Sequence, residues 1–205
     1  GIVPACDPLL LTGVLFGQLG AEAEPKQFYE ELTRSSEFNK TVAWGTVDVS
    51  AYDALVLPGG HAKGMRQYLG STALHSKVVE FVKTGRPFAA ICHGPIVLAR
   101  SIDKATGKSV LAGRRTACLP AYMERTAYWL SAWKLGKYYR TYDAYVEEEI
   151  RAVGAEYVRG PLELTKRGTR TDDGPAFAVV DGNYVSARWP GDAYLFAKKL
   201  LEVLG

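Results

Sequence analysis

Two short, mainly apolar runs are the clearest structural signal in this sequence. Residues 52–57 (YDALVL) lead into the turn at residues 58–61 (PGGH), and residues 88–91 (FAAI) lead into residues 92–95 (CHGP). Apart from Asp53, both runs are apolar, which is typical of strands buried on both faces of a parallel sheet. Helical patterns follow both turns, so the pattern predicts two β-loop-α units in succession.

Helical and further strand patterns fill most of the remaining chain. Asp7 and Pro8 are typical of a helix start and predict a helix over residues 9–19, closed by Gly20. Ser71 is the predicted cap of a helix that runs through Val82 and buries one stripe of apolar side chains. That stripe consists of Leu74, Val78, Val79 and Phe81. Further helices are predicted over residues 25–35, 96–101, 122–135, 142–153 and 192–204, and further strands over residues 109–111, 115–119, 177–180 and 184–187.

These elements predict an α/β fold with a doubly wound, mostly parallel sheet and flanking helices. The turn at residues 181–183 (DGN) predicts that the sheet finishes with a C-terminal antiparallel hairpin. The chain has 205 residues, 47% of them hydrophobic, which is enough for one sizeable core, so a single domain over residues 1–205 is expected. Within it, the aromatic-rich stretch 120–160 is expected to form a helical lid or a subunit-interface insertion.

Charge and cysteine content argue against several classes of function. The formal net charge is only +3, and basic residues are interleaved with acidic ones, so no nucleic-acid partner is expected. The longest apolar stretch, residues 9–19, is interrupted and too short to span a membrane. Three cysteines without CxxC spacing predict neither a disulfide framework nor a zinc cage, and a cytoplasmic location fits best.

Cys92 is the strongest candidate for chemistry. A predicted strand carries it to a tight turn, and Gly94 permits the close backbone approach that such an elbow needs. Because a helix follows at once, its positive end is expected to stabilise the thiolate and lower the Cys92 pKa. The alternative is a small buried apolar residue at a strand end. The adjacent His93 and the Gly-Gly turn favour the functional interpretation. The alternative for His93 is a residue that lines the pocket without a catalytic role.

Three stretches of the chain resemble a known family. Residues 52–65 (YDALVLPGGHAKGM), 88–99 (FAAICHGPIVLA) and 184–197 (YVSARWPGDAYLFA) are similar to the ThiJ/PfpI superfamily, which is related in fold to class I glutamine amidotransferases. The most similar branch contains glutathione-independent glyoxalases and chaperone-like proteins, which pair PGGH with a Cys-His elbow. The resemblance therefore implies the same parallel α/β architecture and a nucleophilic cysteine.

The resemblance also implies roles for individual residues. It implies a triad of Cys92, His93 and an acid, and Glu124 stands where that acid is expected, shortly after Pro120. The alternative for Glu124 is a solvated residue in the first turn of a helix. An oxyanion and substrate-binding turn is implied as well, in which backbone N–H groups stabilise negative charge on the substrate, with a plain tight turn as the alternative. The residues of that site are Gly59, Gly60, His61 and Gly94.

Two features depart from the family pattern. Family members usually begin with a strand, an acidic residue that hydrogen-bonds the cysteine, and a helix. This chain lacks that pattern, so an additional N-terminal or separately supplied segment is expected.

Glutamine amidotransferases carry a histidine far downstream, whereas no histidine follows His93 here, which disfavours that activity. The aromatic residues of 120–160 are more typical of core or subunit contacts than of a substrate pocket.

The resulting expectation is a cysteine-dependent enzyme that acts on a small carbonyl compound without a metal or an organic cofactor. A glyoxalase III-like conversion of a 2-oxoaldehyde to a 2-hydroxy acid leads, and the protein is expected to be a homodimer. The alternative is a redox-sensing or holdase chaperone-like stress protein that uses the same oxidisable cysteine. A cysteine peptidase is less favoured but remains open. Cys6 and Cys118 are interpreted as structural, and His75 as a surface or packing residue.

Overall fold

A computed structural model of the protein describes residues 3–13 and 20–205. The density of internal contacts divides the chain into two compact units, Gly1–Val47 and Asp48–Gly205. The single domain over residues 1–205 and the insertion at residues 120–160 stay predictions. Among the described residues, no helix combines the length and the apolar character that crossing a membrane requires.

Short helices make up the described part of the first unit. They are α1 (Pro8–Thr12), α2 (Ala23–Arg34), α3 (Ser36–Asn39) and a 3-10 helix (Trp44–Thr46). Asp7 caps α1 as predicted, since its carboxylate accepts a hydrogen bond from the Leu9 N–H at 3.0 Å. The prediction of one continuous helix over residues 9–19 is wrong at Gly13, whose φ of 96° leaves the helical conformation. Residues 14–19 of that prediction lie outside the described residues.

The second unit holds the sheets and the helices around them. Its helices are α4 (Met65–Leu69), α5 (Thr72–Val82), α6 (Gly94–Arg100), α7 (Ala121–Leu135), α8 (Val146–Ala152) and α9 (Ala193–Leu204), with 3-10 helices at Val49–Ala51 and Pro190–Asp192. Its strands are β1 (Leu55–Leu57), β2 (Phe88–Ile91), β3 (Ile102–Asp103), β4 (Lys108–Ser109), β5 (Arg115–Thr116), β6 (Glu156–Tyr157), β7 (Ala178–Asp181) and β8 (Tyr184–Ala187).

The main sheet has the strand order β1-β2-β8-β7. β2 pairs in parallel with β1 on one side and with β8 on the other, so that Ala90 lies between Leu57 and Ser186. β7 pairs antiparallel with β8 and forms the predicted C-terminal hairpin. The predicted fold class, a mostly parallel open sheet with an antiparallel end, is confirmed. Two smaller ladders join β3 to β4 and β5 to β6.

The apolar sequence of β2 follows from its central position. Ala89 packs with Val185, Ala187 and Phe196 of α9 in a buried cluster. Because side chains alternate along a strand, Phe88 and Ala90 point to the opposite face, where they are fully buried as well. Both faces of β2 are therefore covered, and the carboxyl end of the strand opens directly into the cysteine turn.

Element boundaries agree best with the prediction in the central strands of the main sheet. β2 and β8 have the predicted bounds, and the Ser71 hydroxyl caps α5 by accepting from the Leu74 N–H at 3.2 Å. Other bounds differ. The strands predicted over residues 109–111 and 115–119 are Lys108–Ser109 and Arg115–Thr116, although residues 117–119 are buried, and the helix predicted over residues 142–153 begins at Val146. Val79 is half-buried, whereas the other three residues of the predicted α5 stripe are buried.

A buried ion pair fixes the chain just beyond β8. The Arg188 guanidinium donates to both carboxylate oxygens of Asp192, at 2.9 and 2.7 Å, and both side chains are almost fully buried. Asp192 also accepts from the Phe177 N–H at 2.9 Å, and Arg188 donates to the Pro161 carbonyl at 2.7 Å. These bonds satisfy both buried charges and hold the end of β8 beside the cysteine turn.

Candidate active site

Cys92 adopts a strained backbone conformation at the end of β2. Its φ is 63°, and within residues 3–13 and 20–205 it is the only non-glycine residue with positive φ. Such a conformation costs about 1–3 kcal/mol and persists only when the surroundings enforce it. The Cys92 N–H donates to the Ala187 carbonyl and the Cys92 carbonyl accepts from the Leu119 N–H, both at 3.1 Å. Cys92 therefore has the backbone conformation of the predicted elbow, and hydrogen bonds to Ala187 and Leu119 hold it in place.

Two glycines allow the turn after β1 to lie against this elbow. A Cβ atom on Gly59 would lie 2.7 Å from the Cys92 Cβ, and one on Gly94 would lie 2.9 Å from the carbonyl carbon of Leu57 and closer still to its oxygen. Real Cβ atoms do not approach other atoms so closely, hence both positions require glycine. Gly60 faces Met65 instead, with room for ordinary contact at 3.5 Å. The two turns singled out in the sequence are thus in direct backbone contact.

The three predicted triad residues lie together in the interior. His93 Nδ1 is 3.3 Å from Cys92 Sγ, and His93 Nε2 is 3.8 Å from Glu124 Oε1. Glu124 comes from the first turn of α7, and its second oxygen accepts from the Val146 N–H at the start of α8 at 3.0 Å. Their exposed fractions are 7% for Cys92, 0% for His93 and 4% for Glu124, so Glu124 is not the solvated residue of the alternative interpretation.

His61 joins the group from the turn after β1. Its ring centroid lies 4.4 Å from that of His93, with the planes at 80°, and 4.7 Å from that of Tyr139. One donor atom from each of His61, His93 and Glu124 can be chosen so that all lie within 4.8 Å of one another. These three residues are therefore the ones that could hold a metal ion here. Sequence reasoning assigned His61 only to an oxyanion turn.

Burial controls the pKa of the cysteine. Burial, with a smaller contribution of the same sign from the nearby Glu124 carboxylate, raises the pKa of Cys92 to about 12. The expectation of a lowered Cys92 pKa is therefore wrong for this resting state. The hydrogen bond from the His93 N–H at the start of α6 lowers the Cys92 pKa, but it does not offset the loss of solvation.

The imidazole and the carboxyl group are shifted in ways that suit proton transfer. Burial lowers the pKa of His93 to about 4 and raises the pKa of Glu124 to about 7, the latter against an opposing contribution from the Val146 N–H. His93 is therefore neutral at neutral pH, and its 3.8 Å contact with Glu124 is not an ion pair at rest. A neutral ring with the proton on Nε2 leaves the Nδ1 lone pair facing the Cys92 thiol.

The raised pKa of Cys92 predicts a distinctive reactivity profile. The rate of Cys92 alkylation by iodoacetamide should rise about tenfold per pH unit from pH 7 to 10 without a plateau, because the thiolate fraction keeps growing below a pKa of about 12. Mass spectrometry of the Cys92 peptide, with a metal chelator present, separates this signal from Cys6 and Cys118. A plateau below pH 8 would contradict a raised pKa, whatever the absolute rate.

The other two cysteines and His75 lie in environments that fit structural roles. Cys118 is fully buried, and Cys6 is partly buried. The His75 ring lies with Nε2 3.0 Å from the Leu69 carbonyl oxygen, a packing contact on α5.

The sequence did not predict the contact of Tyr139 with His61. The run of aromatic residues gave a signal, but helical spacing could not tell which of them turn inward, and α7 leaves Trp129 and Trp133 exposed.

An open parallel sheet with a strained cysteine at the carboxyl end of a central strand defines an α/β protein of the nucleophile-elbow class. Comparison with known families agrees: the model described as ThiJ/PfpI family-like matches residues 1–161. The chain belongs to the ThiJ/PfpI family, which confirms the superfamily resemblance drawn from the sequence.

Individual relatives are distant. A deglycase of Thermococcus kodakarensis is 28% identical over 170 residues, which cover 81% of this chain and 70% of the relative. Among solved structures, glyoxalase III of Candida albicans matches with a TM-score of 0.65 at 20% identity, covering 92% of this chain and 73% of the other. Rapid Encystment Protein 24 kDa of Francisella tularensis matches with a TM-score of 0.65 at 19% identity, covering 86% and 70%. At these identities the two structures show the fold alone.

Proposed function

We propose that this protein is a cysteine-dependent enzyme acting on small carbonyl compounds, with conversion of a 2-oxoaldehyde to a 2-hydroxy acid as its reaction. One observation carries the proposal: the Cys92 thiol, held in a strained elbow, lies 3.3 Å from Nδ1 of a histidine that is neutral at neutral pH. This pair can add a thiol across a carbonyl group without a thiolate at rest. The reaction needs no external oxidant or reductant.

In the first step the Cys92 sulfur attacks the aldehyde carbon. Its proton passes to His93 Nδ1 as the sulfur-carbon bond forms, and the imidazolium returns that proton to the carbonyl oxygen, which gives a hemithioacetal. Glu124 stabilises the transient imidazolium through its contact with Nε2. Backbone N–H groups of the turn at Gly59, Gly60 and His61 would stabilise the developing charge on oxygen, since that turn abuts the elbow.

In the second step the hemithioacetal rearranges. His93 removes the proton from the sulfur-bound carbon to give an enediol and delivers a proton to the adjacent carbon, while the hydroxyl proton moves to the neighbouring oxygen. The former aldehyde carbon is oxidised to a thioester as the adjacent ketone is reduced to an alcohol. Water then hydrolyses the thioester, which releases the 2-hydroxy acid and restores the Cys92 thiol.

The comparisons support carbonyl chemistry in general terms. A relative at 28% identity is named a deglycase, and a protein of the same fold is named glyoxalase III. Both names refer to activity on carbonyl compounds or their adducts. Their agreement supports the glyoxalase-like branch, whereas the 2-oxoaldehyde, the homodimer and the cytoplasmic location are proposals from the sequence.

The proposal is tested by product analysis of the purified wild-type protein. Incubated with methylglyoxal in the presence of a metal chelator, it should form lactate, measured by chromatography, with multiple turnovers per protein chain. Deglycase-type turnover is measured in parallel as the release of a free amine from an aldehyde adduct. Lactate formation supports the stated reaction, and amine release alone would replace it with another carbonyl reaction of the same cysteine.

The redox-sensor alternative gives a different pattern. One equivalent of peroxide would then convert Cys92 rapidly to the sulfenic acid and a second equivalent would give the sulfinate, while neither the reduced wild type nor Cys92→Ala turns over either substrate. That combination would overturn the enzymatic proposal. The raised pKa of Cys92 disfavours rapid oxidation, because the thiolate is the species that peroxide attacks.

A further inference from the structure

Two buried imidazole nitrogens at the candidate active site lack hydrogen-bond partners. His61 Nδ1 and His93 Nε2 are inaccessible to solvent, and neither has a hydrogen bond to any described residue. A buried ring nitrogen without a partner is destabilising, and a catalytic role, a bound water or a bound ion can account for it. The Glu124 carboxyl group completes the cluster, with one donor atom from each of the three residues within 4.8 Å of the others.

We propose that His61, His93 and Glu124 form a binding site for a single divalent transition-metal cation, with Zn²⁺ as the best fit. Two imidazole nitrogens and one carboxylate oxygen are a ligand set that zinc accepts, with an open fourth position for water. Ligand atoms around tetrahedral zinc lie about 3.3–3.5 Å apart, so the donors need to close by about 1 Å.

Neighbouring groups already orient two of the ligands. His93 Nδ1 faces Cys92 Sγ at 3.3 Å, and the second Glu124 oxygen accepts from the Val146 N–H at 3.0 Å. Outer contacts of this kind fix the ring and carboxylate orientation in metal sites. Tyr139 packs edge-on against His61 and limits the rotation of that ring.

The charge distribution suits a cation. Glu148 and Glu149 add negative charge near Glu124, whereas Arg140 is the opposing positive group. Zinc displaces any proton that remains on the carboxyl group.

Metal binding changes the role of His93. Coordination through Nε2 places the ring proton on Nδ1, which then faces the Cys92 sulfur as a donor and can no longer accept the thiol proton. The cation would therefore inhibit the carbonyl chemistry by tautomer exchange, without touching the cysteine. This consequence rests on the proposed function, but the binding of the cation does not.

Binding is tested by titrating the reduced, metal-free full-length protein with Zn²⁺ in competition with a chromophoric chelator. We expect one equivalent to bind, and His61→Phe to weaken binding by about 100-fold or more while preserving the ring volume. His75→Gln is the matched control, because His75 is the only histidine outside the cluster. It should bind as the wild type does. Absence of saturable binding to the wild type would overturn the proposal.

X-ray absorption spectroscopy of the zinc-loaded wild type removes any dependence on variant folding. The expected zinc shell contains nitrogen and oxygen at about 2.0–2.2 Å and no sulfur at about 2.3 Å. Sulfur in the shell, or binding that is lost in Cys92→Ala and retained in His61→Phe, would assign the metal to a cysteine and contradict the proposed site.

Turnover measurements then separate the two proposals. If the wild type converts methylglyoxal, Zn²⁺ should abolish turnover with the midpoint found in the binding titration, and chelator should restore it. Zinc binding without any turnover of the metal-free protein would refute the proposed function and leave the metal site intact. Turnover that persists in the zinc-loaded protein would refute the tautomer exchange.

Discussion

Replacing Gly94 with alanine is expected to lower the free energy of unfolding by about 3 kcal/mol or more. The new Cβ would overlap the Leu57 carbonyl group at the end of β1. This obstacle is backbone in a paired strand, so it cannot rotate away as a side chain could. Relief requires β1 and the elbow to separate, which would also withdraw the turn at residues 58–61 from Cys92. Denaturant unfolding followed by circular dichroism measures the loss.

Gly64→Ala is the matched control for this change. Gly64 lies in the segment that follows the same turn, has φ −62° and has open space where a Cβ would lie. Its replacement should change the free energy of unfolding by no more than about 0.5 kcal/mol. Failure of Gly94→Ala to accumulate as folded protein agrees with the prediction, whereas stability within about 0.5 kcal/mol of the wild type would show that the two turns are not in contact.

Replacing Cys92 with serine should lower kcat/KM for the carbonyl substrate by about 1,000-fold or more, because the hydroxyl is a far weaker nucleophile beside a neutral imidazole. The side chain keeps its size and the elbow keeps its backbone bonds, so stability should change little. Initial rates of product formation in the presence of chelator, with unfolding curves on the same samples, measure both quantities.

Cys118→Ser is the control for loss of a buried thiol. Cys118 is buried like Cys92. Its thiol donates a weak hydrogen bond to the Leu119 carbonyl oxygen at 3.7 Å. This variant should retain turnover within about threefold of the wild type, even if it unfolds more easily. Equal loss of turnover in both variants would mean that Cys92 acts through packing and not as the nucleophile.

The sequence predicts the strand that carries the elbow because local and tertiary requirements coincide there. FAAI is apolar at every position, and β2 is buried on both faces, so its bounds agree with the prediction. The turn chemistry of Asp181-Gly182-Asn183 likewise predicts the β7-β8 hairpin, with Gly182 at φ 61°. Local signals were less useful for β5, whose two-residue pairing depends on β6, a segment about forty residues further along the chain.

In the candidate site too, the sequence predicts local contacts better than contacts between distant segments. Cys92 and His93 are adjacent in sequence, so their contact follows from the turn itself. The anchoring of Glu124 by the Val146 N–H joins two helices and leaves no sequence signal. The direction of the Cys92 pKa shift was wrong because a helix start is visible in a sequence, whereas the exclusion of water from the thiol results from segments that are far apart in the chain.

The two backbone bonds of Cys92 separate reactivity from substrate choice. Its N–H is held by Ala187 and its carbonyl by Leu119, while Tyr139 packs against the His61 ring. Exchange of residues around Tyr139 is therefore expected to change the surroundings of His61 while the sulfur stays in place. Directed evolution toward bulkier aldehydes should accumulate its changes in that stretch and spare the scaffold beneath it.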